Sequence, residues 1–247
     1  MFSIFKRKQS GTVDLSGIGT DMHSHLLPGI DDGSPDTDTS AFLIKGLQDL
    51  GIQRFITTPH ILWDMYKNTN ESISSAQEKL RLSYNGTWPV PFRAAAEYYL
   101  DDHFDKLLSG DAPLLTIGDK RVLVEFSFIT EPMDLKEKLF AMQIKGYQPV
   151  LAHPERYTYL SNSKQTYDEL KDAGCLFQLN LLSLTNYYGK QVNELAGYLL
   201  KKNYVNLLGT DLHHERHLQA LRNSPNLTDS IKQLLDSGRL LNPTINF

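Results

Sequence analysis

The sequence has too few cysteines for a disulfide framework, since its 247 residues include only Cys175. A single cysteine cannot form a disulfide within the chain or supply the several thiolates of a metal–thiolate cluster. No arginine follows it at the short spacing that a cysteine-based phosphatase loop requires. Cys175 lies where a helix is expected to end and a buried strand to begin. We therefore predict a buried structural thiol.

Long apolar runs and long basic runs are also absent. No stretch of about 18 apolar residues occurs, so the sequence predicts no transmembrane helix. The basic residues 2–8 lack the apolar centre of a signal peptide. A net charge of −4 without a basic block argues against a general nucleic-acid-binding protein. We expect a cytoplasmic protein with no nucleic-acid partner and no stable membrane insertion.

Strand-like and helix-like segments alternate about seven times. After a first strand that leads through residues 18–20 into Asp21, the predicted strands are residues 53–58, 91–96, 121–126, 147–152, 176–180 and 205–210. Predicted helices lie between them, at residues 36–50, 72–84, 102–108, 134–145, 166–173 and 186–202. Such alternation implies a parallel sheet with covering helices, and seven units favour a closed or nearly closed barrel. We predict one domain, residues 18–247, after a mobile tail of residues 1–17.

Histidines and carboxylates recur at the ends of these predicted strands. They are His23 and His25, followed by Asp31 and Asp32, then His60, Glu97, Glu125, His153, Asp211 and His213. In a barrel of parallel strands all C-terminal strand ends gather on one face, where active sites lie. The remaining histidines, His103, His214 and His217, are expected on the surface. The strand ends therefore predict one shared polar site.

The ligand types at this site indicate metal ions. Imidazole and carboxylate groups without thiolate suit manganese, iron or zinc better than magnesium. Eight or nine ligands are too many for one ion, so two or three ions that share a bridging carboxylate are expected. Such a centre lowers the pKa of a bridging water and neutralises phosphoryl oxygens. We predict hydrolysis of a phosphate ester by a metal-bridging hydroxide, without a phosphoenzyme.

Short motifs around these residues occur in a fixed order between residues 21 and 213. They are Asp-Met-His23-Ser-His25, Asp32-Gly, Thr-Pro-His60, Ala-Ala-Glu97-Tyr-Tyr, Val-Glu125-Phe, Ala-His153-Pro-Glu-Arg156-Tyr and Thr-Asp211-Leu-His213. Together they resemble the PHP (polymerase and histidinol phosphatase) superfamily, and within it the bacterial capsule-regulating protein-tyrosine phosphatases. The resemblance implies the fold of that superfamily, a distorted (β/α)7 TIM-like barrel.

The resemblance also implies a ligand set for two or three divalent ions, with manganese expected first and iron or zinc as alternatives. One ion would be held by His23, His25, Glu97 and Asp211. Glu97 would bridge to a second ion, held also by Glu125 and His153, and a third would take Asp32, His60 and His213. Asp31 competes with Asp32, and the Asp-Gly signature of the family favours Asp32.

Two arginines and two aromatic segments are candidate substrate contacts. Arg156 is three residues after His153 and could bind phosphate oxygens in two-pronged fashion. The alternatives for Arg156 are an ion pair with Glu155 and a surface position. Arg216 is a second candidate anion contact. The aromatic residues of segments 63–66 and 186–189 could flank a phosphotyrosine ring, pack in the interior, or form a partner surface.

The resemblance implies a metal-dependent protein-tyrosine phosphatase. Its substrate would be a phosphotyrosine protein, expected to be a tyrosine kinase of capsule or exopolysaccharide synthesis. A phosphatase of histidinol phosphate or another small phosphomonoester is the nearest enzymatic alternative, and the acidic net charge disfavours a phosphodiesterase or nuclease. A metal-bound partner of a kinase that binds without turnover is the alternative from another class.

Overall fold

Nine short parallel strands form the centre of the structure, a computed structural model that describes residues 12–246. They make two sheets, ordered β1-β2-β4 and β3-β5-β6-β7-β8-β9. Their bounds are β1 Thr20–Asp21, β2 Arg54–Thr57, β3 His60–Ile61, β4 Phe92–Ala94, β5 Glu97–Tyr99, β6 Arg121–Glu125, β7 Gln148–Ala152, β8 Leu176–Asn180 and β9 Val205–Gly209.

The gap between the two sheets is an interruption within two strand positions. β2 continues into β3 after Pro59, and β4 continues into β5. Across the gap, the Ala95 amide donates to the Thr57 carbonyl at 2.8 Å and the Glu97 amide to the Pro59 carbonyl at 3.0 Å. Proline has no amide hydrogen to donate, which contributes to the break in the regular ladder. The nine strands therefore occupy the seven positions that the sequence predicts.

A few hydrogen bonds join the last strand position to the first. The Asp211 amide donates to the His23 carbonyl at 2.7 Å, and the His25 amide donates to the Leu212 carbonyl at 3.0 Å. Beside them, the amide and hydroxyl of Thr210 donate to the two oxygens of Asp21, at 2.9 and 2.7 Å. Burial raises the pKa of the Asp21 carboxyl to about 6. These bonds hold the two ends of the strand series together where the candidate ligands lie.

Eight α-helices between residues 12 and 246 cover the strands. They are α1 Thr37–Asp49, α2 Asn70–Ser83, α3 Asp102–Ser109, α4 Leu135–Ile144, α5 Gln165–Asp172, α6 Lys190–Lys201, α7 Glu215–Arg222 and α8 Leu227–Asp236. Several of these helices begin with a capping side chain that accepts a hydrogen bond from a backbone amide of the first turn. The Asp36 carboxylate accepts from the Thr39 amide at α1, and Thr69 and Ser72 cap α2 reciprocally. None of the helices between residues 12 and 246 combines the length and apolar character needed to span a membrane.

The apolar pattern of the strands decides which side chains point into the barrel. A small inner cluster contains Ala95, Leu123 and Leu207, whereas Val122, Val124 and Leu208 belong to the larger cluster. Because side chains alternate along a strand, positions separated by an even number of residues share a face. Glu97 and Glu125 therefore continue the inner face beyond Ala95 and Leu123.

Three boundaries differ from the sequence-based expectations. Ile18 lies in the short 3-10 helix Ser16–Ile18, not in an extended lead-in. The helix expected from residue 186 begins at Lys190, because Gly189 adopts a φ of 90° that ends the preceding turn. Val13 and Leu15 are buried, so the packed part of the chain begins before residue 18. The rest of the predicted tail, residues 1–11, lies outside the described residues.

The contact between Thr210 and Asp21 yields a test of stability. We expect Thr210→Val to lower the free energy of unfolding by about 1–3 kcal/mol, because a buried carboxylate oxygen loses its hydroxyl donor. Urea unfolding measures the change. Thr87→Val, in an exposed turn, is the control and should stay within about 0.5 kcal/mol of the parent protein. Equal unfolding midpoints for the two variants would contradict the assigned role of this contact.

Candidate metal centre

Four ligand atoms converge at the end of the barrel where the first and last strand positions meet. They are Nε2 of His23, Nε2 of His25, Oε2 of Glu97 and Oδ1 of Asp211. Five distances among these atoms lie between 3.2 and 3.4 Å. The centre of a regular tetrahedron with such edges lies about 2.0 Å from each corner, which is the usual length of a zinc–nitrogen or zinc–oxygen bond. The spacing therefore fits one ion.

Two acceptor groups behind the imidazoles orient these ligand atoms. His23 Nδ1 lies 2.8 Å from Gln178 Oε1, and His25 Nδ1 lies 2.9 Å from Asp31 Oδ2. Gln178 Oε1 also accepts from the His153 amide at 3.2 Å, which identifies this amide atom as the oxygen. With an acceptor at Nδ1, each ring carries its hydrogen there and presents the lone pair of Nε2 to the centre.

Glu97 joins this first group to a second one. Its Oε2 lies 3.2 Å from His60 Nδ1, and its Oε1 lies 3.1 Å from His153 Nε2. Glu125 Oε1 approaches His60 Nδ1 at 2.9 Å, whereas Glu125 Oε2 is 4.0 Å from His153 Nε2. His60 therefore groups with Glu97 and Glu125, while His153 groups with His23 and Asp211. The resemblance instead assigns His153 to the group of Glu97 and Glu125. It assigns His60 to the group of Asp32 and His213, which His60 also approaches in the structure.

A third group lies nearer the solvent. Asp32 Oδ1 is 3.5 Å from His60 Nε2 and 3.5 Å from His213 Nε2. The Nδ1 atom of His213 lies 2.9 Å from the Asp211 carbonyl oxygen, which leaves Nε2 to face Asp32. The adjacent Asp31 instead contacts His25 Nδ1 and accepts from the His60 amide at 3.2 Å. The geometry thus favours Asp32 over Asp31 as a ligand.

Hydrogen bonding between the side chains does not account for this cluster. Both oxygens of Glu97 and the Nδ1 atom of His60 are buried without a hydrogen bond of acceptable geometry, despite their short distances to neighbours. A buried carboxylate without partners is costly. Bound cations would satisfy these atoms, so the donor set fits divalent ions.

Neighbouring histidines favour the ionised form of two buried carboxylates, Glu97 and Asp211. Burial opposes ionisation of Glu97, but His23 and His60 hold its pKa well below its usual range. Burial opposes ionisation of Asp211 as well, but His23 and His213 hold the pKa of Asp211 well below its usual range. Both carboxylates are therefore ionised, which is the form that binds metal.

Two of the candidate ligands are placed by unusual backbone conformations. His153 and Asp211 have φ angles of 34° and 50°, in the left-handed region that non-glycine residues seldom adopt. At Gly209, the last residue of β9, an added Cβ would lie 2.6 Å from His23 Cβ and 2.8 Å from Gln178 Nε2. The chain therefore approaches the centre more closely here than a larger residue would allow.

Arg156 lies beside the cluster, and its guanidinium packs against two aromatic rings. Its Nη1 donates to Asp211 Oδ2 at 2.7 Å, and its carbon Cζ lies 4.8 Å from the Phe128 ring and 4.7 Å from the Tyr188 ring. The alternative ion pair with Glu155 does not form, because Glu155 is buried and accepts from the Asn180 amide at 3.0 Å. Arg156 therefore has further N–H donors with which it could bind a ligand.

The remaining predictions concern Arg216, the aromatic residues of segment 63–66, and Cys175. Arg216 is exposed on α7 and makes no hydrogen bond or ion pair with residues 12–246, so its anion contact stays a prediction. Tyr66 stacks against His60 at 5.5 Å, whereas Trp63 stacks against His103 at 3.8 Å. Cys175 is buried, as predicted.

The expectation of a surface position is wrong for His217. Only 9% of this residue is exposed, and its Nδ1 accepts from the His213 amide at 3.3 Å. Burial, followed by the charge of His214, lowers the pKa of His217 to about 3. A neutral His217 can act as the acceptor that supports the backbone of His213.

Sequence reasoning also missed the supporting residues of β8. Gln178 contacts His23 and the His153 amide, and Asn180 Nδ2 donates to Asp211 Oδ2 at 2.9 Å. Both are fully buried. Two polar residues at alternate positions of an apolar strand were the available signal, since buried polar side chains need partners.

The contact between Gln178 and His23 yields a test of the candidate centre. We expect Gln178→Met to weaken metal binding about 10–100-fold, because His23 and the His153 amide lose a shared acceptor. Competition with a metal-binding dye measures the affinity. Gln219→Met, exposed on α7, is the control and should bind metal like the parent protein. Equal affinities for the two variants would show that Gln178 does not support the centre.

Comparison with known proteins relates this geometry to a family. The chain is 29% identical to tyrosine-protein phosphatase YwqE of Bacillus subtilis over 196 residues, which cover 78% of this chain and 77% of YwqE. It is also 29% identical to tyrosine-protein phosphatase CpsB of Streptococcus pneumoniae over 202 residues, covering 78% and 82% of the two chains.

Solved structures agree with the fold. A chain from the crystal structures of YwqE and CpsB, which are described as metal-dependent tyrosine phosphatases, matches with a TM-score of 0.75 at 26% identity, covering 92% of this chain and 96% of that one. Histidinol phosphate phosphatase from Lactococcus lactis matches with a TM-score of 0.52 at 13% identity, covering 90% and 94%, which supports the shared fold alone. The predicted α/β barrel class is confirmed. A family model described as capsular polysaccharide synthesis, CpsB/CapC, matches residues 19–236, and the chain therefore belongs to the CpsB/CapC family.

Proposed function

We propose that this protein is a metal-dependent protein-tyrosine phosphatase, a phosphoric monoester hydrolase that acts on phosphotyrosine. The observation that carries the proposal is the convergence of ligand atoms without hydrogen-bond partners around Glu97, beside the guanidinium of Arg156. A cation-binding centre next to an arginine suits a phosphate ester. The similarity to YwqE and CpsB over more than three quarters of the chain supports the tyrosine-phosphatase activity.

We assign two or three divalent ions to the candidate ligands. His23, His25, Glu97 and Asp211 would hold the first, Glu97, Glu125 and His153 the second, and Asp32, His60 and His213 the third. Manganese is our first choice, and iron and zinc are the alternatives for ligands that are all imidazole or carboxylate. When bound, such ions lower the pKa of a coordinated water and neutralise charge on phosphoryl oxygens.

The side chains of the protein contribute orientation and charge. Glu97 presents an oxygen to each of two groups, so it sets their separation. Arg156 donates to a phosphoryl oxygen through the guanidinium edge that Asp211 leaves available, and Arg216 would be a second contact. A cysteine nucleophile has no support, because burial raises the pKa of the Cys175 thiol to about 12. Direct attack by water therefore agrees with the available groups.

The family description supports a proposal for the substrate and the setting. We propose a phosphotyrosine protein as substrate, namely a tyrosine kinase of capsule or exopolysaccharide synthesis, in agreement with the family description. The cytoplasm is the predicted location. We also propose one phosphatase domain, which includes the buried residues Val13 and Leu15 together with the expected range 18–247.

Metal removal tests the proposed activity. We expect protein stripped by a chelator to lose phosphate release from a phosphotyrosine peptide, and manganese, iron or zinc added singly to restore it, because the buried carboxylates need cations. His153→Ala should lose metal and activity together. Histidinol phosphate is the comparison substrate. Faster turnover of histidinol phosphate would favour the small-substrate alternative, and metal binding without turnover of either would favour a non-catalytic partner.

Arg156 provides a separate test. We expect Arg156→Lys to lower kcat/KM for the phosphotyrosine peptide about 10–100-fold, because lysine keeps the charge but loses the planar pair of donors. Elemental analysis should find unchanged metal content. Arg239→Lys, an exposed position, is the control. Full activity of Arg156→Lys would contradict the proposed contact between Arg156 and the phosphate.

A further inference from the structure

An exposed apolar loop borders the candidate metal centre. It connects β6 to α4, and its residues Phe128, Ile129 and Met133 are 44%, 87% and 103% exposed. We refer to these three side chains as the apolar ledge. Exposure of one large apolar side chain is ordinary, but three in six consecutive residues beside a polar site indicate an interaction surface.

The ledge is joined to the site through Phe128. One contact of this ring is with the guanidinium of Arg156, at 4.8 Å. The ring also stacks on the imidazole of His153, with centroids 5.4 Å apart, and on Tyr157, at 5.5 Å. Phe128 thus lies over a candidate ligand and the candidate phosphate contact, while nearly half of it remains accessible.

Hydrogen bonds hold the loop in place. The Ser127 hydroxyl accepts from the Ile129 amide at 3.0 Å and from the Thr130 amide at 3.4 Å. The Ser127 carbonyl accepts from the hydroxyl of Tyr159 at 3.0 Å. This local turn orders the apolar residues before any ligand arrives, which lowers the entropic cost of binding.

We propose that the apolar ledge is the substrate subsite of the centre, and that it selects phosphotyrosine with an apolar neighbour in the peptide. This inference rests on the proposed function. The phosphotyrosine ring would pack on the accessible part of Phe128, and the neighbouring apolar side chain would pack on Ile129 and Met133. Aromatic and apolar contacts of this kind provide affinity that an aliphatic phosphate lacks.

The depth of the centre supports the same selection. Glu97 is fully buried, and so are His23 and His25. A phosphate on the long, rigid tyrosine side chain can reach inward while the peptide backbone stays outside at the ledge. Phosphoserine carries its phosphate on a single methylene, so it would have to bring its backbone into the polar site and would leave Phe128 without a partner.

The test compares two peptides of one sequence, each with leucine beside the phosphorylated residue, one with phosphotyrosine and one with phosphoserine. For manganese-loaded Phe128→Ala, we expect the KM for the phosphotyrosine peptide to rise about tenfold, with kcat changed less than about twofold. The already lower kcat/KM for the phosphoserine peptide should change less than about twofold. Phe140→Ala is the matched control, since Phe140 is 63% exposed on α4 and makes no ring contact with residues of the centre.

The possible results separate the ledge from other roles of Phe128. An equal loss on both peptides would mean that Phe128 acts only by positioning Arg156, and an equal loss in Phe140→Ala would indicate a general surface effect. Either result overturns the inference. If the parent protein hydrolyses neither peptide, the proposed function fails. Calorimetric measurement of peptide affinity then tests the apolar ledge. Binding of the phosphotyrosine peptide to Phe128→Ala that is about tenfold weaker than to the parent protein supports the ledge as a subsite. Equal affinities of the two proteins refute it.

Discussion

The burial of one carboxylate, Glu97, is the constraint on which the site depends. An ionised carboxylate without water requires compensating partners, and Glu97 has histidines against both of its oxygens. Those histidines come from three different strand positions, so they meet Glu97 only when the strands are correctly aligned. The compensation is incomplete without cations, because neither oxygen makes a hydrogen bond of acceptable geometry. The same atoms thus favour metal binding and the barrel that collects them.

A layer of buried polar residues holds the candidate ligands in position. Gln178 and Asp31 orient His23 and His25, and Asn180 and Arg156 share Asp211. This arrangement has a chemical consequence, because an imidazole whose Nδ1 hydrogen already has an acceptor presents its other nitrogen in a defined direction. It also links the phosphate candidate to the centre, since Asp211 contacts Arg156 through one oxygen and the histidines through the other.

Local patterns in the chain predicted much of this arrangement. The strand around Leu123 and the helix after Asp36 follow from side-chain periodicity and capping, which depend only on neighbouring residues. The predicted helix at residue 186 starts late because Gly189 adopts a positive φ, and periodicity does not report such a turn. His217 was misplaced for a related reason, since its burial depends on how α7 packs beneath His213. Phe128 carried no recognisable motif, and its place beside the centre depends on contacts with His153 and Arg156, which follow the neighbouring strand β7.

The sequence by itself determined which residue types stand at the ends of the strands, and in what order. Alternation along a strand is a local property, so a candidate ligand such as Glu125 could be placed on the inner face from the pattern around it. Only the tertiary structure decided how these residues combine. Distances between segments far apart in the chain give Asp31 and Asp32 different partners. Such distances also pair Arg156 with Asp211 and group His60 with Glu125. Strand register and side-chain rotamers set those distances, and neither can be read from residues considered one segment at a time.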